Sequence, residues 1–324
     1  MNTLGRVFRV SIFGESHGSY VGVTIDGCPA GIALTAEDME YDLSRRRAGA
    51  KGTTPRTEAD IPVLASGVFN NYTTGAPITI LFANNNTRST DYEALRNTPR
   101  PGHADFVLHE KYAGYNDYRG GGHSSGRLTL GLVAAGVIAK KVLGGITIQA
   151  TLTEAGGNTD IDAAIEKAIA EQDSIGGIVT CSVQGLPVGA GEPFFDSLES
   201  VISHAVFSIP AIKGIAFGAG FAAARMTGSE HNDAIMDASG KTATNNAGGI
   251  NGGISNGNEL TFTIAVKPPS STPRQQHTWN KATNTMEAFT VRGRHDLCIA
   301  LRVPVVTEAA TAIAIADAIL IKSK

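Results

Sequence analysis

The sequence predicts an α+β fold in which long apolar helices pack against antiparallel β-sheets. Short β-branched runs pair off across turn residues, and two stretches rich in Leu, Ala, Val and Ile are long enough for buried helices. The regular βαβαβ alternation that builds a doubly wound parallel sheet is missing. With 324 residues, 42% hydrophobic and 18% charged, the chain carries the apolar material for such a core. No composition shift marks a linker, so residues 1–324 are expected to form one domain.

Val7, Phe8, Val10, Ile12 and Phe13 make a strand that ends at Gly14, and Val21–Ile25 resumes in the same style, giving an opening hairpin. Thr35 with Asp38 three residues on is a capping-box-like start for a helix over 36–47, which breaks at Gly49. Strands over 62–69 and 77–83 flank the turn residues Asn70, Asn71, Thr73, Thr74 and Gly75. The polar, Pro/Gly-punctuated connection from Asn84 to His103 is of a length that compact domains rarely carry except at a working site. Helices follow over 104–112 and, after a glycine run, over 125–143. The second half gives strands over 146–152 and 178–183 and helices over 161–172 and 196–207, the latter with Asp196 and Glu199 in capping-box positions. Leu260, Phe262, Ile264 and Val266 alternate with Thr261, Thr263 and Ala265, a half-buried strand of the antiparallel kind. Pro304 can take the first turn of a last helix that runs to about Ile321.

Charge and composition narrow the function classes. Lys+Arg at 27 against Asp+Glu at 30 leaves no basic field to draw the protein onto nucleic acid or an anionic membrane. The apolar runs over 130–139 and 309–321 are short or carry a charge, so no membrane span is expected. Cys28, Cys181 and Cys298 form no C-x-x-C pair, and Arg6 and Arg9 interrupt the N-terminal apolar stretch, which together predict a cytoplasmic protein without a signal peptide. Glycine is in excess, 38 residues or about 12% against a usual ~7%, so turns and close backbone approaches are plentiful.

Several polar clusters stand out. Gly14, Ser16 and Gly18 match the G-x-S-x-G elbow of serine hydrolases, but the elbow requires a helix next and Tyr20–Ile25 reads as a strand. His17 in that turn also has a plain reading as a hydrogen-bonded turn residue. Gly120, Gly121 and Gly122 lead through His123, Ser124 and Ser125 to Arg127 at the mouth of a long helix, where N–H groups, hydroxyls and the helix dipole favour an anion. This is no P-loop, since Arg127 and Leu128 replace the Lys and the Ser/Thr, and Ser125 takes the third glycine of a dinucleotide fingerprint. Arg45, Arg46, Arg47, Lys51 and Arg56 form an acid-free basic run. It reads either as a solvated helix end or, with Arg100, Arg119 and Arg127, as a set of forks for a small polyanion. His17, His103, His123 and His295 lack metal-ligand spacing and suit acid–base chemistry. Asn245–Gly257 is an Asn/Gly loop, Lys267–Ser271 follows a strand with a lysine and hydroxyls fit for a phosphate, and Arg294, His295 and Asp296 sit together before the last helix.

Taken together, GESHG at 14–18, RPGHAD at 100–105, DYRGGGHSSGR at 117–127, the loop 245–257, KPPSS at 267–271 and GRHD at 293–296 resemble chorismate synthase from the first strand to the last helix. The resemblance implies a lyase that turns 5-enolpyruvylshikimate 3-phosphate into chorismate and phosphate. It implies reduced FMN without net redox change, with NADPH as the reductant to consider, long central helices sandwiched between antiparallel β-sheets, and a homotetramer. In the family's mechanism the flavin lends an electron to promote phosphate loss and then recovers it. By motif match, His17 would sit by the flavin and protonate it, His103 would protonate the departing phosphate, and Asp296 would assist proton removal at the flavin. Arg46, Arg127, Lys51, Arg56 and Arg294 would bind anionic groups. His123, Ser124, Ser125, Asn246, Ala247, Gly253, Lys267, Pro268, Pro269, Ser270 and Ser271 match the FMN-contacting stretches. The rival class is a flavin- or phosphate-binding protein without catalysis, against which the retention of His17, His103 and Asp296 speaks.

Three departures from the family pattern stand out. His123 replaces an Arg of many members and Leu128 a Glu, so a charge pair at the glycine loop is absent together. Lys51 and Gly52 occupy a stretch that usually carries another Arg. The segment 144–177 is shorter than in many members, which affects a peripheral insertion.

Overall fold

The alternating opening segments become one face of a layered structure. The computed structural model describes residues 2–56, 58–87, 92–291 and 295–323. Strands β1 (Thr3–Leu4), β2 (Arg9–Gly14) and β3 (Tyr20–Asp26) lead to a 3₁₀ turn and helix α1 (Glu40–Arg46). After these come β4 (Val63–Ser66), the small hairpin β5 (Val68–Phe69) and β6 (Tyr72–Thr73), and β7 (Ile78–Ala83). An antiparallel sheet in the order β1-β2-β3-β7-β4 results. Its inner face is set by period-2 patterning: Val21, Val23 and Ile25 on β3 and Ile78, Ile80 and Phe82 on β7 are all buried.

Beyond this sheet lie α2 (Asp105–Lys111), α3 (Thr129–Leu143), β8 (Thr147–Ala155), α4 (Ile161–Glu171), β9 (Gly177–Gln184), α5 (Leu198–Phe207), β10 (Ile212–Phe217) and α6 (Gly228–His231). The chain ends through β11 (Ile250–Asn251), β12 (Ile254–Ser255), β13 (Leu260–Val266), β14 (Gln276–Asn280), β15 (Thr285–Phe289) and α7 (Val303–Lys322). The second sheet, order β10-β13-β9-β8, is also antiparallel, and β13 buries Leu260, Phe262, Ile264 and Val266 as the alternation requires.

Helices α3 and α7 fill the space between the sheets. The former packs on β2 and β3, the latter on β8 and β9, and the two pack on each other. Small residues permit that approach. A β-carbon at Gly136 would fall within 2.5 Å of Ala309 Cα, and one at Gly131 would fall 3.1 Å from the Gly22 carbonyl on the opposite side of the helix. The run from Val303 is apolar enough to cross a membrane by length and composition, with mean hydropathy 1.7, contrary to the expectation from the shorter run 309–321. Yet 72% of that window is buried inside the protein, so α7 is a core helix. A charged group lies in this core: Glu308 of α7 pairs with Arg45 at 2.6 Å and Lys140 at 3.0 Å, and Lys140 also reaches Asp42 at 2.7 Å, tying α1, α3 and α7 together.

Some elements differ from expectation. The cap of α5 is Ser197, whose Oγ accepts from Ser200 N–H at 3.1 Å, while Asp196 turns away to pair with Arg6. Strand β10 and the hairpin β14–β15 are not expected from the sequence: Lys213 and Gly214 interrupt the first beside a register shift, and the second buries none of its residues fully and exposes Trp279 and Met286. Cys28, Cys181 and Cys298 are buried free thiols.

Candidate active site

The glycine run between α2 and α3 cannot be helical, because Gly120, Gly121 and Gly122 take φ of 60°, 84° and 54°, a region in which L side chains are strained. It passes over two imidazoles. A β-carbon at Gly120 would lie 2.7 Å from His17 Cδ2, and one at Gly121 would lie 3.4 Å from His103 Cε1. The Ser16 N–H donates to Gly122 O at 3.1 Å, pinning the GESHG turn beneath the loop. His17 also meets the Tyr92 ring edge-on at 5.1 Å. Because β3 follows this turn directly, the serine-hydrolase elbow has no helix to stand on. Within the loop, Ser124 Oγ donates to Gly121 O at 2.8 Å and Ser125 Oγ accepts from Arg127 N–H at 3.3 Å, while His123 bridges Gly14 O and Asn2.

His103 stands at the start of α2. Its Nδ1 lies 2.7 Å from Asp105 Oδ1, and Arg100 holds Asp105 through Nε and Nη2 at 2.7 and 2.8 Å. Arg100 Nη1 donates to Ser271 Oγ at 3.0 Å, and Ser270 Oγ donates to Gly102 O at 2.7 Å, so the segments 100–105 and 267–271 lie side by side. Lys267 Nζ donates to Ser270 Oγ at 2.8 Å. Burial, reinforced by the charge of Lys213, lowers the Lys267 ammonium from its usual value.

Arginines and carboxylates alternate around the rest of the site. Arg127 pairs with the buried Asp60 and donates through Nε to Asn84 Oδ1 at 2.9 Å. Arg46 donates to Gly126 O at 2.8 Å and Thr129 Oγ1 at 3.0 Å, with Asp60 at 3.6 Å. Burial first, and then the charge of Arg302, pushes the Arg46 guanidinium down to about 9. Arg56 pairs with Glu58 at 2.7 Å and reaches Ser16 Oγ at 3.3 Å. Burial pushes the Glu58 carboxyl up, but hydrogen bonds from Arg56 and the N–H groups of Asn85 and Asn86 outweigh it and leave it below the ordinary range. Asp296 accepts from Thr54 N–H at 3.0 Å and pairs with Arg302.

Most of these groups, though not His17 or Asp105, border one cavity of about 580 Å³, a volume within the usual range for ligand sites. Its walls carry Arg46, Arg47, Arg56, Arg100, Arg127, Lys267 and Arg302 against Glu58, Asp60 and Asp296. Cations exceed carboxylates, so the walls favour a polyanion. Of the residues singled out from sequence, the cavity gathers Arg46, Arg56, His103, His123, Ser124, Ser125, Arg127, Lys267, Pro269, Ser270, Ser271, His295 and Asp296, with His17 just behind Ser16 and Gly120.

Other expected residues lie elsewhere, each for a visible reason. Lys51 is exposed and bridges to Glu166 of α4 at 2.8 Å. Pro268 packs against Gly176. The backbone N–H groups of Asn246 and Ala247 hold Asp233 at 2.8 and 2.9 Å, and Gly253 lies against Ser197 at the start of α5, so this loop braces the second sheet and is not brought to the cavity in this chain. Arg119 turns to Asp117 at 2.8 Å, and Arg45 to Glu308. Arg294 lies outside the described residues.

The sequence profile of the chorismate synthase family matches residues 8–320. The chain belongs to the chorismate synthase family. A chorismate synthase of Chitinophaga pinensis is 70% identical, with 100% of this chain and 98% of that protein aligned. One of Dehalococcoides mccartyi is 46% identical over 98% of this chain and 96% of that protein. A crystal structure of chorismate synthase superposes with a TM-score of 0.76 at 26% identity, covering 98% of this chain and 93% of the other. The activity that goes with this membership is a lyase activity, the conversion of 5-enolpyruvylshikimate 3-phosphate to chorismate and phosphate at the end of the common path to aromatic amino acids.

The acidic half of this chorismate synthase site is less visible in the sequence. Asp105 stands in plain view two residues after His103, whereas Glu58 and Asp60 reach Arg56 and Arg127 only through the fold, 67 residues separating Asp60 from Arg127. Arg302 carries a signal of a kind, being the last cation before the apolar run of α7.

Proposed function

We propose that the cavity binds 5-enolpyruvylshikimate 3-phosphate together with reduced FMN, and that His103, His17 and Asp296 handle the protons of the elimination. The observation that carries this reading is the glycine loop, whose side-chain-free backbone lets the His103 imidazole line one cation-rich cavity and the His17 imidazole lie close behind its wall at Gly120. Phosphate must leave one ring carbon while hydrogen leaves another that no carbonyl activates, so a side-chain base by itself is a poor catalyst. The chemistry reduced FMN supplies when bound is a loan of one electron that promotes phosphate loss and is returned with the hydrogen, leaving no net redox change.

The residues present fit such a group. Excess cations suit its phosphate, and Lys267, Ser270 and Ser271 offer an ammonium and hydroxyls at the wall. Ser124, Ser125 and His123 line the same wall from the glycine loop. His103 gives a proton to the departing phosphate, and Arg46, Arg56 and Arg127 set the positive potential in which the substrate's anionic groups settle. The carboxylate of Asp296 is held in one orientation by Thr54 N–H and Arg302 as a proton acceptor. A homotetramer, a cytoplasmic location and NADPH as the flavin's reductant belong to the same proposal, supported by family membership.

Anaerobic assay of phosphate release tests it. Purified protein with substrate should be silent with oxidised FMN, and a trace of reduced FMN should serve many turnovers. Activity without flavin, or flavin oxidised one-for-one with product, overturns the reading. The same assay with NADPH and oxidised FMN decides on the reductant, and light scattering on the assembly.

A further inference from the structure

A buried carboxylate stands behind the imidazole of His103. The Asp105 side chain is 8% exposed and that of His103 is 23%, with Oδ1 and Nδ1 2.7 Å apart. Asp105 is itself immobilised: Arg100 donates to Oδ2 from its backbone N–H at 3.1 Å and from Nε at 2.7 Å, and to Oδ1 from Nη2 at 2.8 Å. Arg100 in turn is anchored on Ser271. The other edge of the imidazole faces Gly121, where a β-carbon would lie 3.6 Å from Nε2.

An ionised carboxylate can only accept a hydrogen bond. The 2.7 Å contact therefore requires a proton on Nδ1. Arg100 Nη2 also comes within 3.1 Å of Nδ1, one of its two hydrogens going to Asp105 Oδ1 and the other facing the ring, but a bare Nδ1 would set its lone pair against the anionic Oδ1 at 2.7 Å, and the shorter, charged contact places the proton on Nδ1. Burial pushes the Asp105 carboxyl up, yet hydrogen bonds from Arg100 and His103 outweigh it and hold the group far below its ordinary value, so it is ionised at neutral pH.

We propose that Asp105 is a positioning residue that fixes the His103 proton on Nδ1 and turns Nε2 toward the cavity as the atom that gives a proton to the departing phosphate. The proposal rests on the reading of His103 as proton donor. In that step the Nε2–H bond breaks and the proton goes to the phosphate oxygen that keeps the electron pair of the cleaved C–O bond. The imidazolium becomes a neutral imidazole with Nδ1–H still directed at Asp105. An amide in place of the carboxylate can present its NH₂ to Nδ1 and so favour the opposite tautomer, with Nε2 protonated after turnover and unable to be recharged.

Asp105→Asn tests this with two readouts. Diethylpyrocarbonate acylates an unprotonated imidazole nitrogen, and His103 lines the cavity with its Nδ1 occupied by Asp105. Labelling of His103, followed by peptide mass spectrometry, should slow about 10-fold in the variant, while the exposed His277 labels at its usual rate. With reduced FMN and substrate, kcat should fall about 10²- to 10⁴-fold with KM within about 3-fold. The double variant His103→Ala with Asp105→Asn should be no slower than His103→Ala. Wild-type labelling in Asp105→Asn, or a double variant slower by the full factor of both, overturns the proposal. Wild-type turnover in His103→Ala removes the proton-donor reading and the proposal with it, whereas a fully active Asp105→Asn beside an inactive His103→Ala removes Asp105 alone. Should Asp105→Asn fail to fold, ¹⁵N shifts of histidine-labelled wild type decide: Nδ1 protonated and Nε2 bare supports the proposal, and the reverse refutes it.

Discussion

The α-carbon of Gly120 lies so close to the His17 imidazole that a β-carbon there would fall 2.7 Å from Cδ2 and 2.8 Å from Nε2. The space a side chain would take is the space the ring occupies. With φ of 60° the position also disfavours any L residue. Gly120→Ala is expected to lose about 1 kcal/mol from the backbone and at least 10-fold in turnover from the displaced ring. Gly252 separates the two effects, since it has the same φ of 60° with nothing within 4 Å of a β-carbon. Gly252→Ala should show the stability loss in urea titration with turnover intact. Equal turnover losses in both variants would mean that the contact with His17 is immaterial.

The helix crossing at Gly136 gives a second test, on the fold itself. Replacing this glycine by alanine in a free helix would stabilise by up to about 1 kcal/mol. Here the added carbon would sit within 2.5 Å of Ala309 Cα, with α3 backed by β2 and β3 and α7 backed by β8 and β9, which leaves the helices little room to part. Overpacking should win, with a net loss of about 1–3 kcal/mol for Gly136→Ala and more for Gly136→Val. A raised melting temperature for Gly136→Ala would show that α3 and α7 move apart freely.

What the sequence disclosed follows from the range of each interaction. Leu260, Phe262, Ile264 and Val266 announce a half-buried strand because alternation is local, and all four are buried. The glycine loop, RPGHAD and KPPSS segments were legible as motifs, and the structure lays them around one cavity. The place of Lys51 was not legible, because a basic run at a helix end looks alike whether its members face a site or solvent, and Glu166, its partner, lies on an element far along the chain. The role of Arg45 was hidden for the same reason: its partner Glu308 is 263 residues away. Strand β10 escaped because Gly214 and Lys213 break its pattern, and its order comes from pairing with β13.

Glu308 makes the core sensitive to acid. Burial pushes its carboxyl up, but Arg45 and Lys140, with the Ala150 N–H, outweigh this and hold it below the ordinary 4.5. The folded state thus binds this proton less readily than the unfolded chain. Its contribution is present above the unfolded value near 4.5 and is lost as pH falls through the lower folded value. Glu308→Gln should cost about 2–3 kcal/mol at pH 7 and flatten the decline of the urea midpoint between pH 6 and pH 3. A variant with the wild-type slope would place the acid sensitivity in other carboxylates such as Asp105.

Arg127 is expected to matter twice over. It borders the cation-rich cavity, so its loss should weaken binding of an anionic substrate, but its guanidinium also pairs with Asp60, whose side chain is 3% exposed. With Arg127→Ala, that carboxylate keeps only the more distant Arg46 at 3.6 Å among its ion-pair partners in the described residues, and an uncompensated buried charge costs about 3 kcal/mol. The same substitution should therefore lower the urea midpoint as well as substrate affinity. The two effects come apart in Arg127→Met with Asp60→Asn, where the stranded charge is gone. Because the residues touch, the double variant should recover more than half of the lost stability while calorimetry still finds weakened substrate binding. If stability stays low in the double variant, the loss comes from the hydrogen bond to Asn84 rather than from Asp60. If substrate affinity returns with stability, Arg127 acts on the site through folding and contributes no charge to the bound anion.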